Sequence, residues 1–423
     1  MKRKGLSLAV VSLAAVFALL GAKQLLAQGQ SRGHVVVPDS SIEHAQDHGV
    51  RAHTNHLLLV PDKGNGGGHK PSPPPPSSPS GMSPAQIRSA YNLTTIAGSG
   101  VIAIVDAYDY PTAQNDFDFF SAQYGLHKST ENLCNGANPC FVKVLASNGK
   151  YRSNCGWGQE AALDIEWAHA MAPNAQIVLV EAKSNSFADL FAAVDVATQI
   201  VKAGGYDRNL NLIGGNSGKG EVSMSWGGGE FSSEASYDFH FPTNSSVVYF
   251  AASGDTGGVT IYPSASPNVV AAGGTSLKLS GSTWTETAWS GSGGGPSAYE
   301  DKPAYQNAAV SGSKRGIPDF SFDADPYTGV SVYDSTSCQG LVGWLVFGGT
   351  SVSSPALAGI VNSAGNFYNN GTQTELEMLY SNYPSTLGVY FRDILSGSAG
   401  SYSAGQYWDY VTGVGSPLTY GGK

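Results

Sequence analysis

The sequence predicts an α/β protein on an open, doubly wound, mostly parallel sheet flanked by helices. Three observations carry this. Five short apolar runs, Val101–Val105, Ile177–Val180, Val222–Trp226, Val247–Ala252 and Val269–Ala272, have the length of strands buried on both faces. Helical stretches, Gln159–Met171 and Phe187–Ala203, lie between them, and such alternation implies a parallel sheet. Finally, Asp106 and Asp255 follow strand runs directly, at the carboxyl ends where open sheets hold their sites.

The elements follow in chain order. Lys2, Arg3 and Lys4 precede an uncharged apolar run from Leu6 to Ala22, with small residues at Ala22 and Ala27. This is the pattern of a secretory signal peptide over residues 1–27, with cleavage after either alanine, and the run is short for a membrane anchor. A secreted, extracellular protein is expected, with no membrane span after cleavage. Residues 28–63 form a short segment with two apolar stretches, His34–Pro38 and Leu57–Val60. Its five histidines, His34, His44, His48, His53 and His56, are read as part of a polar, mobile tail, although such groups change charge near neutral pH. Residues 64–83 are a Gly/Pro/Ser-rich linker, and the globular domain spans 84–423.

Composition agrees. Only 13% of the 423 residues are charged, and the formal charge is −9. A basic nucleic-acid-binding face is therefore not expected. Hydrophobic residues at 41% exclude a disordered chain. The four cysteines, Cys134, Cys140, Cys155 and Cys338, suggest disulfides in an exported protein. Three pairings are possible. The turn-rich segment between Cys134 and Cys140 favours that pair, leaving Cys155 with Cys338. Zinc is disfavoured by the spacings.

Catalytic candidates come next. Gly-Gly-Thr-Ser occurs at Gly273–Ser276 and again at Gly348–Ser351, and only the second continues to Pro355 and an apolar helical run. A helix starting at Ser351 would offer free N–H groups and a positive dipole end to an oxyanion, with Pro355 in its first turn. A nucleophilic serine needs a base. No histidine of the globular part, His127, His169 or His240, has a glycine beside it, so a histidine base is not expected. Glu160 and Asp164 are four apart on a predicted helix, hence on one face, among Ala161, Ala162, Leu163, Ile165 and Trp167. Such a pair can share a proton, whereas Glu166 faces elsewhere and reads as structural. Asp255, in Ser-Gly-Asp-Thr-Gly, is either a functional acid or an Asx turn.

Together, Glu160-x-x-x-Asp164, Ser225-Trp226-Gly227, Ser253-Gly254-Asp255 and Gly349-Thr350-Ser351-x-x-x-Pro355 resemble the sedolisin family of serine-carboxyl peptidases. Ala168–Asn174 and Arg315–Asp325 also resemble family segments, and the likeness runs from about Pro84 to Pro417. The resemblance implies a subtilisin-like fold and a secreted endopeptidase acting on polypeptides at acid pH. It implies Ser351 as nucleophile, Glu160 as base, Asp164 as its partner and Asp255 as oxyanion residue. Asp106 and Trp226 match an outer hydrogen-bond network, Asp106 being shorter than the family's usual glutamate. The chemistry agrees, because a carboxylate base works near its own pKa of roughly 4 to 5, and a carboxyl donates to an oxyanion only when protonated.

Phe391–Ile394 and Tyr402–Pro417 resemble the family's calcium site. That implies one Ca²⁺ in a C-terminal calcium-binding region, held by Asp393 and Asp409 with carbonyls of Ile394, Gly405 and Tyr407. Tyr407 stands where glycine is usual, which a negative φ would tolerate. The family usually carries a long folded propeptide, whereas here residues 28–83 stand before the catalytic domain, so no full prodomain is expected: either this short segment plays a reduced part or the enzyme is not held as a zymogen in the usual way. A monomer is expected. The competing readings are an inactive exported protein keeping the fold as a surface or binding module, and a two-carboxylate glycoside hydrolase, which leaves the serine motif unexplained.

Overall fold

A computed structural model describes residues 33–62, 78–95, 97–129, 134 and 138–423. The signal peptide and most of the linker lie outside the described residues. Strands are β1 (Gly33–Val36), β2 (His53–Thr54), β3 (Leu57–Pro61), β4 (Val101–Ala107), β5 (Phe141–Leu145), β6 (Gln176–Ala182), β7 (Gly220–Met224), β8 (Trp226–Gly229), β9 (Val247–Ala252), β10 (Ile261–Tyr262), β11 (Val270–Ser280), β12 (Thr283–Ala288), β13 (Gly295–Asp301), β14 (Lys314–Ile317), β15 (Phe320–Asp323), β16 (Val330–Cys338) and β17 (Leu341–Gly348). Helices are α1 (Pro84–Ala90), α2 (Ala113–Tyr124), α3 (Cys155–Met171), α4 (Phe187–Ala203), α5 (Thr350–Ala364) and α6 (Gly371–Thr386).

The central sheet has eight strands in the order β12-β11-β9-β7-β4-β6-β5, with β15 beside β11. All neighbours are parallel except β12, which returns antiparallel on β11. Both faces are covered, as the unbroken apolar runs require. Ile102 and Ile104 of β4 pack with α3 and α5, while Val101, Ala103 and Val105 pack with α4. The chain builds outward from β4 through β6 on one side and β7 on the other. Asp106 ends β4, Ser225 follows β7 and Asp255 follows β9, so all three lie at this topological switch.

The run Val222–Trp226 divides at Ser225. β7 stays in the main sheet, whereas β8 leaves it to pair with β10 and β2. The disulfides are Cys134–Cys140 and Cys155–Cys338, as expected, and the second ties the start of α3 to the end of β16.

The N-terminal segment differs from the expected mobile tail. β1 pairs with β3, β3 extends the β16–β17 hairpin, and β2 pairs with β8. The reason is apolar burial with hydrogen bonding. Leu57, Leu58 and Leu59 are buried, and His53 and Thr54 complete a strand edge that β8 would otherwise leave open.

Candidate active site

Two helices carry the acid pair and the serine. α3 starts at Asn154, whose side chain accepts from the N–H groups of Gly156 and Trp157. Glu160 and Asp164 then fall on one face, both fully buried. α5 starts at Thr350, after Gly349 at φ 96°, a left-handed conformation that suits glycine. The helices cross closely at Gly359, where a Cβ would meet Met171 Cβ at 2.7 Å and the Ala168 carbonyl at 2.9 Å.

Pro355 lies in the second turn of α5 rather than its first. It has no N–H for the carbonyl four residues back, which is that of Ser351. That carbonyl instead accepts from the Ser225 hydroxyl at 3.3 Å. Ser225 Oγ is also 2.8 Å from Asp164 Oδ1. One hydroxyl proton cannot serve both contacts. The pattern is satisfied when Asp164 is protonated and donates to Ser225, whose own hydroxyl then donates to the Ser351 carbonyl. Burial first, and then the Glu160 charge, push Asp164 upward and agree with that assignment.

Burial pushes Glu160 up to about 8, against the lowering effect of the Ser351 hydroxyl and the Asn55 N–H. This departs from the range of 4 to 5 expected from sequence, because a strap of chain seals the carboxylate from water. Glu160 Oε2 meets His56 Nδ1 at 2.8 Å and accepts from the Asn55 N–H at 3.2 Å. Ser351 Oγ meanwhile donates to the Ser225 carbonyl at 3.2 Å.

Asp255 accepts from the N–H and hydroxyl of Thr350 at 2.7 and 2.9 Å, both through Oδ1. Its Oδ2 is buried without a hydrogen-bond partner. Burial raises its pKa to about 7, with the Thr350 bonds opposing. A Cβ placed on Gly349 would meet the Asn55 carbonyl oxygen at 2.2 Å and Asp255 Oδ2 at 2.4 Å, so these two oxygens are close neighbours. The same Asn55 oxygen accepts from the Ser351 N–H at 3.0 Å. A carbonyl oxygen held by the Ser351 N–H with the Asp255 carboxyl close by outlines an oxyanion pocket.

The outer candidates are also nearby. Asp106 is buried with neither oxygen hydrogen-bonded, and burial together with Asp164, Glu160 and Glu181 drives its pKa well up. Trp226 donates from Nε1 to the Val105 carbonyl at 2.8 Å, so it braces β4 beside Asp106. Glu166 accepts from the Tyr333 N–H at 3.0 Å, a structural contact. Ser276 donates to Asp325 Oδ2 at 2.7 Å, away from the acid pair.

Sequence reasoning missed Asn55, His56, Ser225's hydroxyl and Thr350. The apolar run Leu57–Val60 was the available signal for the first two, since a buried strand there carries its preceding histidine inward.

At the C-terminal end, Asp409 accepts from the N–H groups of Gly405, Val411 and Thr412 at 3.1, 2.8 and 2.9 Å. Asp393 Oδ2 accepts from the Tyr407 N–H at 3.2 Å, while its Oδ1 is buried and unpartnered. Tyr407 has φ 69°, not the negative value that would tolerate a tyrosine there, so it holds a glycine-like conformation. Among the described residues, no group of three or more His, Cys, Asp or Glu side chains is close enough to hold a metal. Two aspartates with backbone carbonyls remain a hard-oxygen donor set, and the orphaned Asp393 oxygen fits a cation.

The chain resembles several known proteins. It is 36% identical over 173 residues to sedolisin of Pseudomonas sp. (strain 101), which is 37% of this chain and 28% of that protein. It is 32% identical over 295 residues to kumamolisin of Bacillus sp. (strain MN-32), covering 61% of this chain and 49% of that protein. Over part of its length the chain is similar to sedolisin-family peptidases. These matches span between about a quarter and a half of the length of those curated relatives. A solved Pseudomonas sedolisin, described as a serine-carboxyl proteinase complexed with two molecules of pseudo-iodotyrostatin, superposes with TM-score 0.63 at 24% identity. It covers 81% of this chain and 96% of that one, and shows that the sedolisin fold is shared. No protein-family model matches the chain. No helix among the described residues is long and apolar enough to cross a membrane.

Proposed function

We propose that this chain is a secreted serine-carboxyl endopeptidase that hydrolyses peptide bonds of polypeptides at acid pH. One observation supports the reading most. A peptide carbonyl, that of Asn55, accepts from the Ser351 N–H close to the Asp255 carboxyl, and the Asn55 N–H donates to the buried Glu160.

Ser351 Oγ attacks the scissile carbonyl carbon and its proton passes to Glu160. Asp164, tied to Ser225, holds Glu160 in place and limits its charge. The oxyanion receives hydrogen bonds from the Ser351 N–H and protonated Asp255. Glu160 then returns the proton to the leaving amine, and water releases the acyl group by the same route. Asp255 must be protonated, so activity is lost as pH rises through its raised pKa. Glu160 must be ionised when it acts, so the strap that raises it has to leave and admit water. Asp106 and Trp226 support the pair from β4.

Asp393 and Asp409, with carbonyls of Ile394, Gly405 and Tyr407, would hold one Ca²⁺. Bound there, the ion would neutralise the two carboxylates and so would pin the C-terminal loop. The protein acts as a monomer.

The docked strap also favours a second reading, an inactive exported binding module. Digestion of denatured protein between pH 3 and 7, by wild type and Ser351→Ala, separates them. Activity lost in Ser351→Ala supports the peptidase; no activity at any pH in either protein supports the module.

A further inference from the structure

On the α3 side of the sheet, the acid pair continues into a row of charged groups that the reaction above leaves unused. Asp106 of β4 is in register with Glu181 of β6, so the two carboxyls stand side by side on one face. That face also carries Ile104 and Leu179, packed in one core with Leu163 of α3. Lys143, on the edge strand β5, shares it. Its ammonium meets Asp109 Oδ1 at 2.7 Å, the Tyr110 carbonyl at 3.0 Å and Glu181 Oε1 at 3.4 Å. Glu181 is buried. Its Oε1 accepts from the Tyr110 N–H at 2.8 Å, and its Oε2 has no hydrogen-bond partner. Lysine on an edge strand commonly guards against pairing with another chain. This one lays its ammonium beside a buried carboxyl instead, with only 28% of its side chain exposed.

We propose that Lys143 and Glu181 are positioning residues of the peptidase site, whose charges reach the Glu160–Asp164 pair across the sheet face and set the pH at which that pair gives up its shared proton. This rests on the peptidase reading above. Glu181 has a cation and an N–H to support its charge, whereas Asp106 has neither. Of these two neighbours Glu181 is therefore the one that ionises and Asp106 the one that stays neutral. Burial pushes Glu181 up to about 7, with the Tyr110 N–H and then Lys143 lowering it and Asp109 raising it. Burial, and then Asp164, Glu160 and Glu181, push Asp106 upward, so Asp106 feels the acid pair on one side and the outer pair on the other.

The charged and titratable groups along the row are Glu160 and Asp164 from α3, Asp106 from β4, Glu181 from β6, Lys143 from β5, and Asp109 with Tyr110 from the segment after β4. Their charges act through packed apolar side chains, where a field is screened far less than in water. The Lys143 ammonium favours a negative charge on the pair, and the Glu181 carboxylate opposes one. Glu160 has to be ionised to take the serine proton. The ammonium therefore extends activity toward lower pH, and Glu181 limits that extension.

The test follows kcat/KM on one unfolded protein substrate from pH 3 to 7, with full-length wild type and variants. The acid limb reports ionisation of the coupled pair as a whole. Lys143→Glu should move that limb up by about one pH unit and Lys143→Gln by about half as much, whereas Lys143→Arg should keep it in place. Glu181→Gln retains an acceptor for the Tyr110 N–H and removes only charge, so it should move the limb down. Shifts of opposite sign from two neighbouring residues require charge, because a packing defect lowers the rate at every pH and leaves the limb where it was. Lys143→Gln serves where Lys143→Glu does not fold. An unmoved limb in the Lys143 charge variants, or shifts of the same sign at both positions, overturns this proposal alone. Absence of hydrolysis by wild type at any pH overturns the peptidase reading and this proposal with it.

Discussion

Asp255 illustrates how a single proton defines a role. Its Oδ1 accepts from Thr350, and its free Oδ2 lies near the Asn55 oxygen. Asn at this position donates at any pH, whereas the acid donates only below about 7. Asp255→Asn should therefore keep more activity than Asp255→Ala, with an alkaline limb moved to higher pH. Turnover from pH 3 to 7 checks this, and equal losses in both variants would leave only a turn-forming role. Glu160→Gln keeps size but cannot accept the serine proton, so turnover should fall at least about 100-fold. These residues were legible in the sequence because their chemistry is local in the chain: two acids one helical turn apart, an acid after a strand, a serine after glycines. Asn55 and His56 were not, since their partners Glu160, Ser225 and Ser351 lie more than 100 residues away. Nothing in the sequence near His56 names them.

Elements were legible where burial is two-sided. β4, β6 and β9 contain their apolar runs, β11 takes in all but Val269 and β7 the first part of Val222–Trp226, and α3 and α4 fall where the helical stretches were expected. The strands from β12 to β17 were not marked. Several mix buried and exposed positions, as in β12 and β13, and so lack an unbroken apolar run. The start of α5 was legible, but the work of Pro355 was not: its missing N–H matters only because Ser225 arrives from β7. The α3–α5 crossing makes a stability prediction. Gly359→Val would set branched carbons into the space held by Met171 and the Ala168 carbonyl. Overpacking of this kind costs about 1–3 kcal/mol. Thermal unfolding should shift down and peptidase activity should fall with it, because this contact sets the distance from Ser351 to Glu160.

Across the whole molecule, a buried ion pair links distant segments. Arg315 meets Asp319 through both guanidinium nitrogens at 2.9 and 2.6 Å, and also donates to the Ser266 and Val269 carbonyls. Both side chains are fully buried. Arg315→Leu leaves the Asp319 carboxylate unpaired inside, an effect of about 3–5 kcal/mol, which should appear as a lowered urea midpoint. The C-terminal loop carries a separate prediction. If calcium is held there, a chelator lowers the melting temperature of wild type, and Asp409→Ala lowers it already and abolishes the response. An unchanged melting curve in excess chelator would count against the site.

The strap and the cleft belong to one chain. An untethered inhibitor comes off when its solution is diluted; a tethered one faces an effective concentration fixed by the chain between, on the order of millimolar for a short flexible connection. A free peptide with the same contacts as Arg51–Leu58 would need to approach that level to displace half of it. A strap carried on the same chain would therefore stay docked however thinly the protein is spread, and opening would have to come from a change within the molecule, not from dilution.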